Sequence, residues 1–409
     1  MAKITRPSDN PEKLLALVDR WVEKIYPNRE AFLERLRRGG KLVIYLGFDP
    51  TSPHLHFGHA VPLFALREFQ RAGHRVILLL GDFTARIGDP TDKLSPRQPL
   101  SAAQVRANLR TYRVQAGKIL KLTGPNAARL ERNSKWLEKM SFTDVTRLAQ
   151  NVTVQQMIER DMFQERLKAG KPIGLHEFLY PLMQGYDSVA MRVDLEICGN
   201  DQTFNALMGR TLVRLLQHRE KFVATLRLLV DPKSGKKVSK TEGGLINLDD
   251  SSQDIVGKVM ALGDAPMFEF AKLSTDMSLL RIAELQEGVN AGTLNPRDAK
   301  LEIAQYAAAI IHGEKKAGRA AQNFLRTFSE GVPEDIPDLR LATGSMSAAD
   351  LVFTSGTVKS KAEAWRLVAQ GALEVAGENI RDPRAALSLQ TGQIVKIGKR
   401  RFFKIKTRK

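Results

Sequence analysis

His56 and His59 stand three residues apart with Gly58 between them, where the apolar run Lys41–Gly47 gives way to a helical pattern. On the first turn of a helix this spacing puts both imidazoles on one face. Backbone N–H groups and the helix dipole point the same way, so a phosphate is the natural ligand of such a helix start. Two imidazole donors can hold triphosphate oxygens as charge builds in a transition state. Gly58 carries no side chain to block an adenine lying on the backbone. The same histidines would also fit a polar helix start or a metal site, but no carboxylate or cysteine sits at ligand spacing nearby. Much later, Lys237-Val-Ser-Lys240-Thr falls in a Gly-, Lys- and Ser-rich stretch over 233–244 that reads as a mobile loop. Its two lysines could close over a departing pyrophosphate; alone, they fit a solvated surface equally well.

A second constellation is Tyr180, Gln184 and Asp187, spaced i, i+4, i+7 and therefore on one helical face. Pro181 is compatible with a first helical turn, which predicts a helix from about Pro181 to Met191 with Tyr180 at its start. Beside Leu182 and Met183, these polar groups also suit the wet side of an amphipathic helix. Leu195-Glu-Ile-Cys-Gly-Asn-Asp-Gln202 ends an apolar run, and a carboxylate there, Asp201, can accept ribose hydroxyls or cap the next helix. Lys93 and Arg97 follow Gly88-Asp89-Pro90 and fit either a phosphate contact or plain surface charge.

The elements that carry these residues read as an open α/β sheet over 1–230. Leu14, Leu15, Val18, Trp21, Val22 and Ile25 recur at helical spacing and predict an opening amphipathic helix. Lys41–Gly47 and Arg75–Gly81 are buried strands flanking a helix over about 58–71, a parallel pair with a right-handed crossover. Ser101 and Gln104 form a capping box before a helix ending near Thr123. Helices are expected over about 142–167 and 202–218, and strands over 193–198 and 226–230. Such sheets bind ligands beyond the carboxyl ends of their strands. The span 231–250 carries the lysine loop, 251–330 is almost wholly helical, 331–346 has the Pro and Gly of a linker, and 347–409 is a small basic α+β module.

The chain has 409 residues, enough for several domains, and 63 Lys+Arg against 45 Asp+Glu give a formal charge of +18. That excess points to a polyanionic partner such as nucleic acid. Cys198 is the sole cysteine, which excludes an intrachain disulfide and a cysteine-rich zinc site. No signal-peptide pattern and no apolar run of about 18 residues occurs, so a cytoplasmic location away from membranes is expected.

His56-Phe-Gly-His59 resembles the His-Ile-Gly-His signature of class I aminoacyl-tRNA synthetases, and Lys237-Val-Ser-Lys240-Thr is similar to their Lys-Met-Ser-Lys-Ser. Tyr180-Pro-Leu-Met-Gln184-Gly-Tyr-Asp187 resembles the amino-acid-binding helix of bacterial-type tyrosyl-tRNA synthetases. The resemblance runs over essentially the whole chain. It implies a Rossmann-like catalytic domain, an α-helical anticodon-binding domain, and a C-terminal RNA-binding domain like that of ribosomal protein S-four. It implies that Asp89, Tyr180 and Gln184 bind the tyrosine ammonium, that Tyr45 and Asp187 meet its phenolic hydroxyl, and that Gln202 lies by its carboxylate. Thr51, His56, His59, Lys237 and Lys240 would act on the phosphates, Gly58, Gly199 and Asp201 on the nucleoside, and Lys93 and Arg97 on the leaving pyrophosphate. ATP with Mg2+ would be substrate, with no prosthetic group and no resident metal, and the chain would be a homodimer. In the C-terminal module, Ala376 stands where the family often has Asn before the turn glycine, and Phe403-Lys-Ile-Lys406 alternates so that one strand face presents cations to RNA.

Overall fold

The computed structural model describes residues 10–91, 100–230, 245–329, 336–341, 345–358, 360–398 and 401–407. The chain divides into two compact units, 1–318 and 319–409.

In the first unit, six strands form one sheet: β1 (Val22–Tyr26), β2 (Val43–Phe48), β3 (Arg75–Leu80), β4 (Arg129–Arg132), β5 (Leu195–Gly199) and β6 (Phe222–Leu226), in the order β1-β6-β5-β2-β3-β4. All neighbours are parallel except β1, which runs antiparallel to β6 at one edge. Ile44, Leu46, Leu78, Leu195, Ile197 and Val223 are buried, as expected of parallel strands covered on both faces. From β2 the chain moves outward to β3 and β4, then returns to place β5 on the other side. The order therefore reverses between β2 and β5, and the carboxyl ends of these strands border the cleft described below.

Several sequence expectations shift. The opening helix stops at Val18 and spans only Pro11–Val18; Val22 and Ile25 instead belong to β1. A register irregularity between Val22 and Lys24 lets two residues three apart both face the core, which imitates helical periodicity. The helix carrying Tyr180 runs from Leu175 to Ala190, so Pro181 lies inside it and Tyr180 is well past its start. Its beginning is fixed by Glu177, which accepts the Gly174 N–H at 2.7 Å and pairs with the fully buried Arg166 at 2.6 Å. Close packing on the Thr203–Gln217 helix holds this segment helical despite the proline. The segment 142–167 is three helices, interrupted where Thr153 caps the second. The Ser101 box caps Ala102–Ala116, which ends before Thr123, and the strand expected to begin at Leu226 instead ends there, as β6.

Helices Ser252–Met260, Asp264–Ser274, Leu279–Asn290 and Pro296–His312 complete the first unit. They join the sheet layer through polar contacts: Trp21 Nε1 donates to the Leu273 carbonyl at 3.0 Å, and Arg20 donates to the carbonyls of Ala271, Lys272 and Met277.

The second unit holds a five-stranded sheet and a two-stranded one around helices Ala348–Thr354 and Lys361–Ala369. Within the span expected as a linker, Asp338–Leu341 is a strand, parallel to the last strand Arg401–Thr407. The tight turn after Leu373–Val375 uses Ala376 and Gly377, both at positive φ, 49° and 88°. Lys404 and Lys406 are exposed, whereas Ile405 is fully buried.

Candidate active site

At the end of β2 the chain passes through Asp49 to Leu55 and enters the helix Phe57–Arg71. His56 is its N-cap: His56 Nδ1 accepts the Gly58 N–H at 3.1 Å, and His59 Nδ1 accepts the His56 N–H at 3.2 Å. This reciprocal cap holds the two rings side by side, tilted by 31° with centroids 3.9 Å apart. Because each Nδ1 is an acceptor, the ring proton of the neutral imidazole resides on Nε2, giving two adjacent donors. The His56 segment also bonds to the chain after the lysine loop, Phe57 N to Ile246 O at 2.9 Å and Leu248 N to Leu55 O at 2.7 Å. Lys237 and Lys240 themselves, like Lys93 and Arg97, lie outside the described residues. The residues flanking the lysine loop, Leu228, Leu229 and Leu245, line the same cleft as the histidines.

That cleft has a volume of about 960 Å³. It brings together every expected site residue among the described ones: Tyr45, Thr51, His56, Gly58, His59, Asp89, Tyr180, Gln184, Asp187, Gly199, Asp201 and Gln202. Asp187 is 2% exposed and accepts from Trp136 Nε1 at 2.7 Å and Asn133 Nδ2 at 3.3 Å. Burial raises its carboxyl well above the ordinary range, these two donors oppose the rise, and Glu196 and Asp49 add to it. Tyr45, on β2, is 1% exposed, and burial followed by the charges of Glu196 and Asp187 raises its phenol. The buried end of the cleft thus offers a carboxyl and a phenol in mutual electrostatic reach.

Towards the strand ends, Tyr180 donates to Asp49 at 2.7 Å, and Asp49 also accepts from Thr84 at 2.6 Å. Gln202 Nε2 donates to Asp89 at 2.7 Å, and Asp89 accepts from the backbone and hydroxyl of Thr91. Asp49 and Asp89 therefore line the cleft as a pair of carboxylate acceptors, suited to a small cation such as an ammonium.

The family "tRNA synthetases class I (W and Y)" matches residues 37–329. The chain belongs to that family. A tyrosine–tRNA ligase of Carboxydothermus hydrogenoformans is 40% identical to this synthetase over 410 residues, covering 98% of this chain and 99% of the relative. One of Thermotoga maritima is 39% identical over 97% of this chain and 98% of its own length. Among solved structures, a C-terminally truncated mitochondrial tyrosyl-tRNA synthetase of Aspergillus nidulans overlays with a TM-score of 0.67 at 22% identity, covering 78% of this chain and 95% of that one. The enzyme of Archaeoglobus fulgidus, solved with L-tyrosine, gives 0.59 at 20% identity, covering 75% and 99%. At such identities the overlays speak for the fold.

As a class I synthetase the chain uses ATP as a substrate. Sequence reasoning missed several residues of the cleft and its wall: Asp49, Asn133, Trp136, Glu196 and Lys221. Two of them carried a signal. Asp49 is a carboxylate at the end of a strand beside the switch point, and Glu196 is a charge inside an otherwise apolar strand. Asn133 and Trp136 follow β4 and reach Asp187 only through the fold.

Proposed function

We propose that this synthetase is a tyrosine–tRNA ligase, which activates L-tyrosine with Mg2+-bound ATP and transfers it to the terminal adenosine of its tRNA. The observation that carries this reading is the buried pair Asp187 and Tyr45 at the end of a cleft that also holds His56 and His59. A phenolic hydroxyl donates to one and accepts from the other. Phenylalanine would supply neither hydrogen bond, leaving Asp187 with only Trp136 and Asn133 and the Tyr45 hydroxyl with only Ser188, at a cost of about 1–3 kcal/mol for each buried polar group short of a partner.

In the first step the tyrosine carboxylate attacks the α-phosphate, giving tyrosyl-adenylate and pyrophosphate. Asp89, Tyr180 and Gln184 hold the ammonium, and Gln202 lies by the carboxylate. Gly58, Gly199 and Asp201 receive the nucleoside. Thr51, His56, His59, Lys237 and Lys240 neutralise charge on the splitting triphosphate, with Lys93 and Arg97 meeting the leaving group. Positioning and electrostatics suffice, and no side chain forms a covalent bond. A ribose hydroxyl of the tRNA then takes the tyrosyl group. In this reading the helices of 251–330 approach the anticodon and 347–409 grips the RNA backbone, consistent with its exposed lysines.

The enzyme is proposed to act in the cytoplasm as a homodimer through its catalytic domain. Exposed Phe142, Val154, Leu167 and Leu175, all on the connection from β4 to β5, favour a self-association surface there. No helix among the described residues is long and apolar enough to cross a membrane.

The test is exchange of labelled pyrophosphate into ATP with tyrosine, tryptophan or phenylalanine as the only amino acid. Exchange with tyrosine alone is expected. Exchange with tryptophan instead moves the assignment to the other substrate of the family, and no exchange with any of them favours an RNA-binding protein without catalysis.

A further inference from the structure

Lys221 is fully buried, with a relative exposure of 0%. Its side chain reaches the buried carboxylate of Glu196, the second residue of β5, and also donates to the Ala206 carbonyl at 3.1 Å. The passage it uses is shaped by glycine. A Cβ on Gly209 would stand 2.5 Å from Lys221 Nζ and 2.8 Å from Ser188 Oγ. A Cβ on Gly185, in the facing helix, would stand 3.2 Å from the Gly209 nitrogen. Two helices are thus brought close enough to enclose one ammonium, and a buried ion pair seldom adds stability over apolar residues of similar size. Its use must lie in what Glu196 faces.

Glu196 faces the amino-acid end of the cleft. One carboxylate oxygen accepts from Gln184 Nε2 at 2.9 Å; the other bonds Lys221 and, at 3.4 Å, Ser188. Ser188 Oγ also lies 3.3 Å from the Tyr45 hydroxyl. A carboxylate only accepts, so it fixes which way round the Gln184 amide sits: N–H towards Glu196, Oε1 turned away. An amide oxygen can accept from a substrate ammonium, whereas the reversed amide would oppose it with N–H groups. We propose that Glu196 and Lys221 are positioning residues for tyrosine binding, Glu196 by setting the orientation of the Gln184 amide and Lys221 by holding and neutralising Glu196. The inference rests on tyrosine as substrate and on Gln184 meeting its ammonium.

The test exploits an asymmetry. In Glu196→Gln, Lys221 keeps the new amide oxygen on its own side, so an N–H group faces Gln184 and drives its amide to reverse. Tyrosine KM in pyrophosphate exchange should rise about tenfold, the worth of one charge-assisted hydrogen bond. ATP KM should be unchanged and kcat should stay within about threefold, as for a loss of uniform binding. Adding Lys221→Met frees the new amide to turn its oxygen back to Gln184, so the double variant should recover tyrosine KM. A pair that merely supports the fold has no reason to work better with two changes than with one. The inference is overturned if E196Q binds tyrosine normally, if the double variant is no better, or if both KM values and kcat move together with Tm. Should E196Q not fold, E196Q/K221M is compared with E196L/K221M, which has the same charge but no acceptor; equal tyrosine KM in the two also overturns it. An unaltered enzyme that exchanges nothing with tyrosine removes the substrate assignment itself, and this inference with it.

Discussion

Asp187 gains its proposed selectivity from what holds it. Trp136 and Asn133 fix its carboxyl from the side of β4, so the group cannot swing away to find water when the ligand lacks a hydroxyl. Asp187→Ala is therefore expected to lower kcat/KM for tyrosine by about 10²-fold, the loss of one buried hydrogen bond to a carboxyl group with its orientation. Phenylalanine should change little, and parallel exchange assays with both amino acids check the ratio; an unchanged ratio would remove Asp187 from tyrosine recognition. A different residue carries a pH consequence. His74 is 3% exposed, its Nδ1 accepts the Leu42 N–H at 3.3 Å, and burial, then Arg35, pulls its pKa from 6.5 down to about 4. A histidine depressed in the folded state favours folding fully above its unfolded pKa and loses that contribution as pH falls. Between pH 6.5 and 4 the loss should reach about 3 kcal/mol. Urea unfolding of the protein and of His74→Asn, which keeps an acceptor near Nδ1, should diverge in pH slope over that window. At this scale the sequence was most legible where spacing is local: His56 with His59, and Tyr180 with Gln184 and Asp187, each need only one helix to share a face. Glu196 and Lys221 could not be joined that way, because their contact requires β5, β6 and a close helix crossing.

The helix Leu175–Ala190 presents Tyr180, Gln184 and Asp187 to the cleft, so its seating on Thr203–Gln217 sets three contacts at once. Gly185 is where they touch: an added Cβ would lie 2.9 Å from Leu212 Cδ1 and 3.2 Å from the backbone nitrogen of Gly209. Leu212 can turn aside, but the backbone cannot. Gly185→Ala should cost about 1–3 kcal/mol by overpacking, partly offset by the better helix propensity of alanine. Tyrosine KM should rise with it, and a variant with higher Tm and unaltered KM would show that the crossing has slack. The opposite sign is expected in the second unit. Ala376 adopts φ 49° in its turn, a conformation that L residues other than Asn and Gly rarely take. Ala376→Asn should stabilise this unit by about 0.5–1 kcal/mol, read as a higher urea midpoint. Helical periodicity failed at Val22 and Ile25 because a bulge in β1 reproduces its spacing of three, and local pattern has no means to see the strand β6 that induces it. The proline rule failed at Pro181 for the converse reason: an interior proline costs about 3 kcal/mol, and tertiary packing can outweigh that.

Across the whole chain, the parallel pair of β2 and β3 and the place of the cleft at the strands' carboxyl ends followed from short apolar runs and their connections, whereas β1, β4 and the strand order did not, because each depends on pairing partners distant in sequence. Where the helices after residue 251 pack was not legible, because contacts such as Trp21 to Leu273 join residues far apart in sequence through backbone carbonyls that carry no sequence signature. Net charge is the property that belongs to the molecule as a whole. A formal +18 has little to do with a reaction between tyrosine and one nucleotide, but it suits a polymer whose backbone sheds counterions when it binds. The two reactions of the proposed enzyme should therefore respond differently to salt. Between about 50 and 200 mM, kcat/KM for tRNA charging should fall steeply and linearly on logarithmic axes, with a slope near the number of phosphates neutralised. Pyrophosphate exchange, whose anions are small molecules and not a polymer with a condensed counterion layer, should decline only through ordinary screening. Lys404 is exposed on the last strand while its neighbour Ile405 anchors that strand in the core, so Lys404→Ala should fold normally. It should reduce the charging slope by about one and leave exchange untouched, as expected of a phosphate contact. Equal salt slopes for the two reactions would mean that the basic C-terminal unit meets no RNA backbone, and that the excess charge serves something other than tRNA.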